Sequence, residues 1–388
     1  MFLADFGANV IKIEPPQGDA YRISGYPIAG EADTTNLNIL RFSRNKRSVV
    51  LDLKNEAGRA VLAELICRAD VLVENFRPGV LGRFGFAPEA LRKLNPALIY
   101  TSVSGFGHDD IFESPYRDRP AYAIIVEAMA GLTHLAGDGD GPPVWMGFAM
   151  ADIFAGVLAF SGTLLELLNQ DRPGGRVDIS MYDGAIFMNE LAVICRTVLG
   201  EVMGRGHYTL QSPWGPYPTS DGHVAIALIN EKQWQALCAL IGRTDLAADE
   251  RLASGQGRSV HHHELVEPAI GEWTSARTTA DCMALLLESD IPAGPVNTAE
   301  DVVNCPQVAA RKMLIDVEDD VVGSFKVVGN PIVLGESASI GGRVPRLGEH
   351  TSAVLEELLS LDGAALQSLR ERGAFGSESG RVEELTTR

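Results

Sequence analysis

Paired cysteines are the first thing this sequence lacks. Its five cysteines, Cys67, Cys195, Cys238, Cys282 and Cys305, are scattered, and none forms a C-x-x-C pair. That argues against a disulfide-stapled framework and against zinc-ligand spacing, and it suggests reduced thiols in a cytoplasmic protein. Positive charge is also short: 33 Lys and Arg face 51 Asp and Glu, a formal net charge of −18. Nucleic acid and anionic membranes reward excess positive charge, so neither is expected as a partner. A phosphorylated small molecule remains open, because its site needs only local cations. No stretch reaches the roughly 20 apolar, uncharged residues of a membrane span. The N-terminus has no basic patch followed by a long apolar run, so no signal peptide is expected. A dinucleotide fingerprint is absent as well: Gly105-Phe-Gly107 begins like G-x-G, but Asp110 stands where the third glycine belongs.

What is there is enough for a sizeable core. The chain has 388 residues and is 46% hydrophobic, which makes two domains the expectation. Its first half alternates strand-like and helix-like text. Val10–Ile13, Ser48–Leu53, Val71–Val73 and Leu98–Val103 read as short buried strands. Glu56–Ala69 and Pro88–Leu94 read as the helices between them. Such alternation predicts right-handed crossovers and a parallel sheet. A fifth strand, Arg176–Met181, follows the turn at 172–175. Beyond Gly204, the prolines at 213, 216 and 218 mark an extended crossing segment. A strand at His223–Ile229 and helices at Glu231–Ile241, His262–Trp273 and Thr279–Glu288 follow, and Ile291–Pro295 closes that unit. Two amphipathic helices, around Val354–Leu359 and Ala364–Leu369, precede a polar tail whose last dozen residues read as frayed.

The most informative residue is Asp152. It opens the apolar stretch Ile153 to Leu168, where Ile153, Val157, Phe160, Leu164 and Leu168 recur at helical spacing. Asp suits a helix start and not a helix interior. The bland reading is a simple N-cap. The sharper one is a carboxylate kept ionised by the positive end of the helix dipole and held beside apolar surface, which can serve as a nucleophile.

Three further segments tip the balance: Leu3-Ala-Asp-Phe-Gly with Ile11-Lys-Ile-Glu14 and Asp19-Ala-Tyr-Arg22; Asn45-Lys-Arg-Ser-Val-Val-Leu-Asp-Leu-Lys54; and Asp70-Val-Leu-Val-Glu-Asn-Phe-Arg-Pro-Gly79 followed by Leu81-Gly-Arg83. With Asp152 these resemble the class III CoA-transferases, the family of formyl-CoA and carnitine CoA-transferases. The likeness runs over nearly the whole chain, through Tyr100–Gly107, Val177–Asp183 and Asp221-Gly-His-Val. It implies an α/β fold with a large Rossmann-like domain and an inserted smaller α/β domain. The expected division is 1–200 for the first part of the large domain, 205–325 for the small domain, and 326–388 for the return segment that completes the large one. An interlocked homodimer is implied too.

The resemblance also implies a coenzyme A groove lined by Arg22, Leu51, Asp52, Leu53, Lys54, Asn75, Phe76 and Arg83. Arg and Lys suit phosphates; Asn75 and Phe76 suit the adenine or pantetheine arm, with core packing the alternative for Phe76. Read without the resemblance, the densest basic run is Arg41, Arg44, Lys46 and Arg47, either a phosphate cradle or a solvated loop. Members of the family carry a first strand and a loop ahead of the Leu3-Ala-Asp-Phe-Gly segment. Their absence here leads to the expectation of an incomplete sheet and a weakened CoA site. Family members with a glycine-rich flap would have it where this chain reads Gln211-Ser-Pro-Trp-Gly215, which is not glycine-rich.

The implied reaction moves CoA from an acyl-CoA donor to a free carboxylic acid, with Asp152 forming first an anhydride and then an aspartyl-CoA thioester. The thioester's energy is kept, so neither ATP nor a metal is needed. Backbone N–H groups at the helix start are one source of oxyanion donors. Trp214 and Tyr217 could shape an acyl pocket or simply pack. The His261–His263 run reads as a solvated helix start, because adjacent helical side chains diverge. Two rival functions stand beside this one. An α-methylacyl-CoA racemase needs a base on each face of the carbon beside the thioester, yet its Gly-His-Asp signature is replaced here by Pro120-Ala-Tyr-Ala-Ile124. The other rival is a non-catalytic acyl-CoA binding protein.

Overall fold

The computed structural model describes all residues except 24–35, 170–172, 207, 209, 320–321, 336–341 and 377–388. The expected turn at 172–175 begins outside the described residues, and the last dozen residues lie wholly outside them. The chain forms two compact units, both discontinuous in sequence. One comprises residues 1–121, 153–181 and 303–388; the other comprises 122–152 and 182–302. This division differs from the one drawn on the sequence, since residues 122–152 and 182–200 join the inserted unit and 303–325 the larger one.

In the larger unit, strands β1 (Ile11–Glu14) and β2 (Arg47–Val50) pair in parallel, Ile11 opposite Arg47. Strands β3 (Val71–Glu74), β4 (Ile99–Ser104) and β5 (Gly175–Ser180) form a parallel sheet in the order β3-β4-β5. All five strands fall within a few residues of their sequence-based bounds. The Glu56–Ile66 helix between β2 and β3 has the features its sequence dictates. Asn55 caps it by accepting the Ala57 N–H, Glu56 sits at the positive end of the dipole, and Val61, Leu62, Leu65 and Ile66 are buried on one face. It stops three residues earlier than Ala69, because Asn95 reaches over and donates to the carbonyls of Ile66 and Ala69, both at 2.9 Å.

That helix packs into one core with Val49, Leu51, Leu81, Leu91, Leu98 and Tyr100. Val354 and Leu355, from the Thr351–Leu359 helix, and Leu366, from the Gly363–Glu371 helix, complete it, so the C-terminal return belongs to this unit. Truncating any one of these fully buried leucines to Ala should cost about 2–5 kcal/mol. Gly58 permits the return: a Cβ there would lie 2.2 Å from the Asp52 carbonyl and 3.1 Å from that of Ala374. The Asp52 N–H donates to the Ala374 carbonyl at 2.8 Å. Beyond the parallel strands, β9 (Leu314–Asp319) and β10 (Gly323–Val328) form an antiparallel pair.

The inserted unit is built on an antiparallel sheet, β6 (Trp214–Pro218), β7 (His223–Ala227) and β8 (Ala293–Pro295), with β7 central. The segment Ile291–Pro295, expected to close this unit, supplies its edge strand through Ala293–Pro295. Val224, Ile226, Trp234, Leu237, Ile270 and Leu286 dominate its core.

Candidate active site

Parallel α/β sheets present ligand sites beyond the carboxyl ends of their strands. Most of the residues singled out for CoA follow such ends. Leu51 to Lys54 continue from β2, and Asn75 and Phe76 from β3. Arg83 ends the short Val80–Arg83 helix that follows. Pro78-Gly79 makes the turn into that helix, and Gly79 adopts φ +80°, a left-handed conformation that favours glycine. Phe76 is 42% exposed, so it presents its ring to solvent and is not core packing. Asn75 donates to the Val103 carbonyl at 2.8 Å, which ties the β3 loop to β4. Lys54 and Arg83 are exposed.

Two members of the set are used differently. Leu51 is fully buried, so its side chain belongs to the core and only its backbone borders the loop. The Arg22 guanidinium is enclosed: Nε and Nη2 donate to Glu14 at 2.7 and 3.0 Å, and Nη2 donates also to the Pro345 carbonyl at 2.9 Å. An arginine enclosed this way does not present its charge to a phosphate. The Asp52 carboxylate accepts the Lys54 N–H at 2.9 Å, and Leu53 is half-buried. The basic run does not form a single cradle. Arg44 is locked on Asp5 at 2.7 and 3.0 Å, and Arg47 pairs with Glu357 at 2.8 Å.

The sequence reading missed a buried polar network at the ends of β3, β4 and β5. Glu74 accepts the Phe76 N–H at 2.6 Å and the Tyr100 hydroxyl at 3.0 Å. The His108 ring lies 2.7 Å from Asp178 through Nδ1 and 3.5 Å from Glu74 through Nε2. Ser102 donates to Asp178 at 2.9 Å. Burial pushes Asp178 up, but the His108 ring, its backbone N–H and Ser102 outweigh burial and leave its pKa lowered. For Glu74 burial wins over the Phe76 and Tyr100 bonds, and its pKa is raised. Acids on β3 and β5 and a histidine in the loop after β4 have no sequence spacing of their own; the parallel register, which sets Glu74 and Asp178 on either side of Ser102, brings them together.

Asp152 lies in the inserted unit, at the point where the Met150–Leu168 helix leaves it. It is the third residue of that helix and not its N-cap, so the helix begins earlier than expected. Its side chain is half-buried and, among the described residues, forms no ion pair. The dipole does not dominate its ionisation. Burial, and then the charge of Glu127, raise its pKa. Glu127 lies on the Ala123–Met129 helix, is 2% exposed, and accepts from the Trp145 Nε1–H at 2.8 Å and the Ala151 N–H at 2.9 Å. Sequence reasoning passed over it. The signal was a lone acid in the otherwise apolar run Ala-Ile-Ile-Val-Glu-Ala-Met, since a charge buried there requires partners.

The remaining candidates fall into place within the same unit. Tyr217 is 2% exposed and belongs to the core, whereas Trp214 is 41% exposed. With Leu135, Met188, Leu191, Met203 and Tyr208, Trp214 lines an apolar cavity of about 420 Å³. The segment compared with a glycine flap runs directly into β6. The histidine run is less simple than a solvated start. His262 is buried, with Nδ1 2.8 Å from the Ser212 hydroxyl, and its ring meets that of His263 edge-on at 4.9 Å. Glu267 lies 2.7 Å from His263 and 3.9 Å from His262. A widened, π-type turn over His262–Val266 lets these neighbours converge where a regular helix would splay them.

Comparison with known proteins gives the family and the fold. A family profile described as CoA-transferase family III matches residues 1–351. The chain is 36% identical to a succinyl-CoA:mesaconate CoA-transferase of Haloarcula hispanica, over 92% of this chain and 91% of that protein. It is 35% identical to a succinate–glutarate CoA-transferase of Agrobacterium fabrum, over 94% and 92% of the two chains. Among solved structures, a CaiB/BaiF family protein from Brucella suis superposes with a TM-score of 0.78 at 32% identity, covering 92% of this chain and 93% of its own.

Proposed function

The chain belongs to CoA-transferase family III, and from that premise we propose that Asp152 carries CoA transfer between an acyl-CoA and a small dicarboxylic acid, with succinyl-CoA as the donor to test first. The protein is a CoA-transferase. The observation that carries the assignment to Asp152 is its setting: a half-buried carboxylate in the first turn of an apolar helix, without an ion-pair partner among the described residues and with a raised pKa. A carboxylate used only for structure is normally paired or bonded.

The steps balance without a proton donor. One Asp152 oxygen attacks the thioester carbonyl; the C–S bond breaks, and the CoA thiolate leaves with the electron pair, giving an aspartyl–acyl anhydride. The thiolate then attacks the aspartyl carbonyl, the C–O bond breaks, and the donor acid departs as a carboxylate. The acceptor carboxylate attacks the resulting aspartyl-CoA thioester and releases thiolate. That thiolate takes the acceptor acyl group and returns Asp152 to its carboxylate. Each oxyanion formed requires preorganised donors, and the backbone N–H groups at the start of the Met150–Leu168 helix are one source. Phe76, Asn75, Lys54 and Arg83 hold the CoA arm and its phosphates. Specificity toward dicarboxylates is suggested by the relatives, named for mesaconate and glutarate as well as succinate.

The homodimer belongs to this reading too. The Met150–Leu168 helix is long and apolar enough, by length and composition, to cross a membrane, yet only 22% of that window is buried. Leu165 and Leu168 are 69% and 74% exposed. A second copy of the chain would cover such a face, and a single-chain mass in sedimentation equilibrium would refute it. Five unpaired thiols support a cytoplasmic setting.

The test of Asp152 is direct. Incubation with succinyl-CoA and hydroxylamine should convert Asp152 to its hydroxamate, seen by mass on its peptide. Asp152→Ala should lower transfer by about 10³-fold or more while CoA affinity stays within a few-fold. Retained turnover would sink the assignment, and deuterium incorporation beside the carbonyl without a hydroxamate would favour a racemase.

A further inference from the structure

We infer that Glu127 is a positioning residue for the Asp152 nucleophile, fixing both the backbone that presents it and the field in which it ionises. The inference rests on the reading of Asp152 given above.

Glu127 is the only charged residue on the Ala123–Met129 helix. It is 2% exposed, and a carboxylate so placed is costly unless its oxygens are satisfied. Each oxygen has a donor from a different segment. Oε1 takes the N–H of Ala151, the residue immediately before Asp152, at 2.9 Å. Oε2 takes the indole N–H of Trp145, on the strap leading into the Met150–Leu168 helix, at 2.8 Å. The first N–H groups of a helix have no partners within it. Glu127 therefore does for Ala151, from another helix, what an N-cap does locally. Holding that peptide holds the backbone from which the Asp152 side chain projects.

The field follows from the same contact. Glu127 brings its negative charge to the helix end where Asp152 would otherwise have the dipole to itself. Burial and then this charge work in one direction on Asp152, raising its pKa. A more basic carboxylate is the better nucleophile once ionised, so the arrangement trades ease of ionisation for reactivity.

The experiment follows exchange of radiolabelled succinate into succinyl-CoA across pH, comparing wild type with Glu127→Gln, Trp145→Phe and Asp152→Asn. Gln keeps the shape of Glu127 and removes its charge. In Glu127→Gln the acid limb of kcat/KM should move to lower pH, and the plateau kcat should fall about tenfold or more. CoA affinity should stay within a few-fold. Trp145→Phe removes one donor and no charge, so its plateau should fall while its acid limb stays in place. A Glu127→Gln protein with wild-type plateau and unmoved limb would overturn the inference. So would a Trp145→Phe protein with an unchanged plateau, which serves as the test where Glu127→Gln does not fold. Exchange surviving in Asp152→Asn would instead defeat the assignment of the nucleophile, so the two failures are distinguishable.

Discussion

Glu74 accepts the backbone N–H of Phe76 at 2.6 Å, which bends the end of β3 into the loop carrying Asn75 and Phe76. The acid is held in turn by the Tyr100 hydroxyl at 3.0 Å and faces His108, itself fastened to Asp178. The loop proposed to hold CoA thus hangs from a buried acid that is itself fixed by residues distant in sequence. Glu74→Gln turns an all-acceptor group into one with an amide pointing at donors, and it removes a bond of about 1.5–3 kcal/mol. The expected outcome is CoA binding weakened about tenfold by calorimetry, with kcat for transfer changed much less. An unchanged CoA Kd would show that the loop is held some other way.

Arg22 and the pair Lys54 and Arg83 should separate cleanly when mutated, although one motif set contains all three. Arg22→Ala strips a partner from Glu14, whose side chain is 0% exposed, and breaking such a buried pair costs about 3–5 kcal/mol. Its signature is a lower Tm, with CoA affinity nearly unchanged in whatever remains folded. Replacing Lys54 and Arg83 together should leave Tm in place, weaken CoA binding, and flatten its salt dependence. Glu14 sets the acid behaviour of the same pair. Burial opposes its ionisation, but Arg22, Lys12 and Ser48 outweigh burial and hold its pKa down at about 2. Its folded pKa lies below the unfolded one, so the stabilisation is present above the ordinary glutamate range and fades as pH falls toward 2. Arg22→Ala should weaken that part of the acid transition, leaving only what Lys12 and Ser48 supply, which a Tm series from pH 6 downward would show.

Why the enclosure of Arg22 could not be read, while the apolar helix that carries Asp152 could, shows what a sequence carries. Strand and helix positions were legible because burial repeats with period: Val61, Leu62, Leu65 and Ile66 announce their helix, and β1 to β5 announce themselves as short apolar runs between turns. Asp152 was legible because an acid opening an apolar helix contrasts with everything near it. Whether a cation faces solvent or an internal acid is decided by partners far away in sequence. Arg22 meets Pro345, Arg44 meets Val328, and Arg47 meets Glu357. The Glu74–His108–Asp178 network was hidden for the same reason, since strand register assembles it. The His262–Val266 turn was misjudged because a π-type helix breaks the spacing that the argument about diverging side chains assumes.

A last prediction concerns stability. Asp152 has its pKa raised, by burial first and by Glu127 second, so its ionised form is less comfortable in the folded chain than in the unfolded one. The sign follows from linkage. A raised folded pKa favours folding at pH values below the unfolded one, and that advantage is lost as pH rises through the folded value. Above the folded value the penalty is fully present. Asp152→Asn keeps the size of the side chain and cannot ionise, so it should be the more stable protein at neutral pH while inactive in transfer. The gap should close as pH drops toward the ordinary aspartate range, where the wild-type carboxyl takes up its proton. Paired thermal melts of wild type and Asp152→Asn between pH 4 and 8 would check this. A variant less stable than wild type at pH 7, or a Tm difference constant with pH, would mean that Asp152 is a structural acid and that its burial is compensated by contacts within the fold.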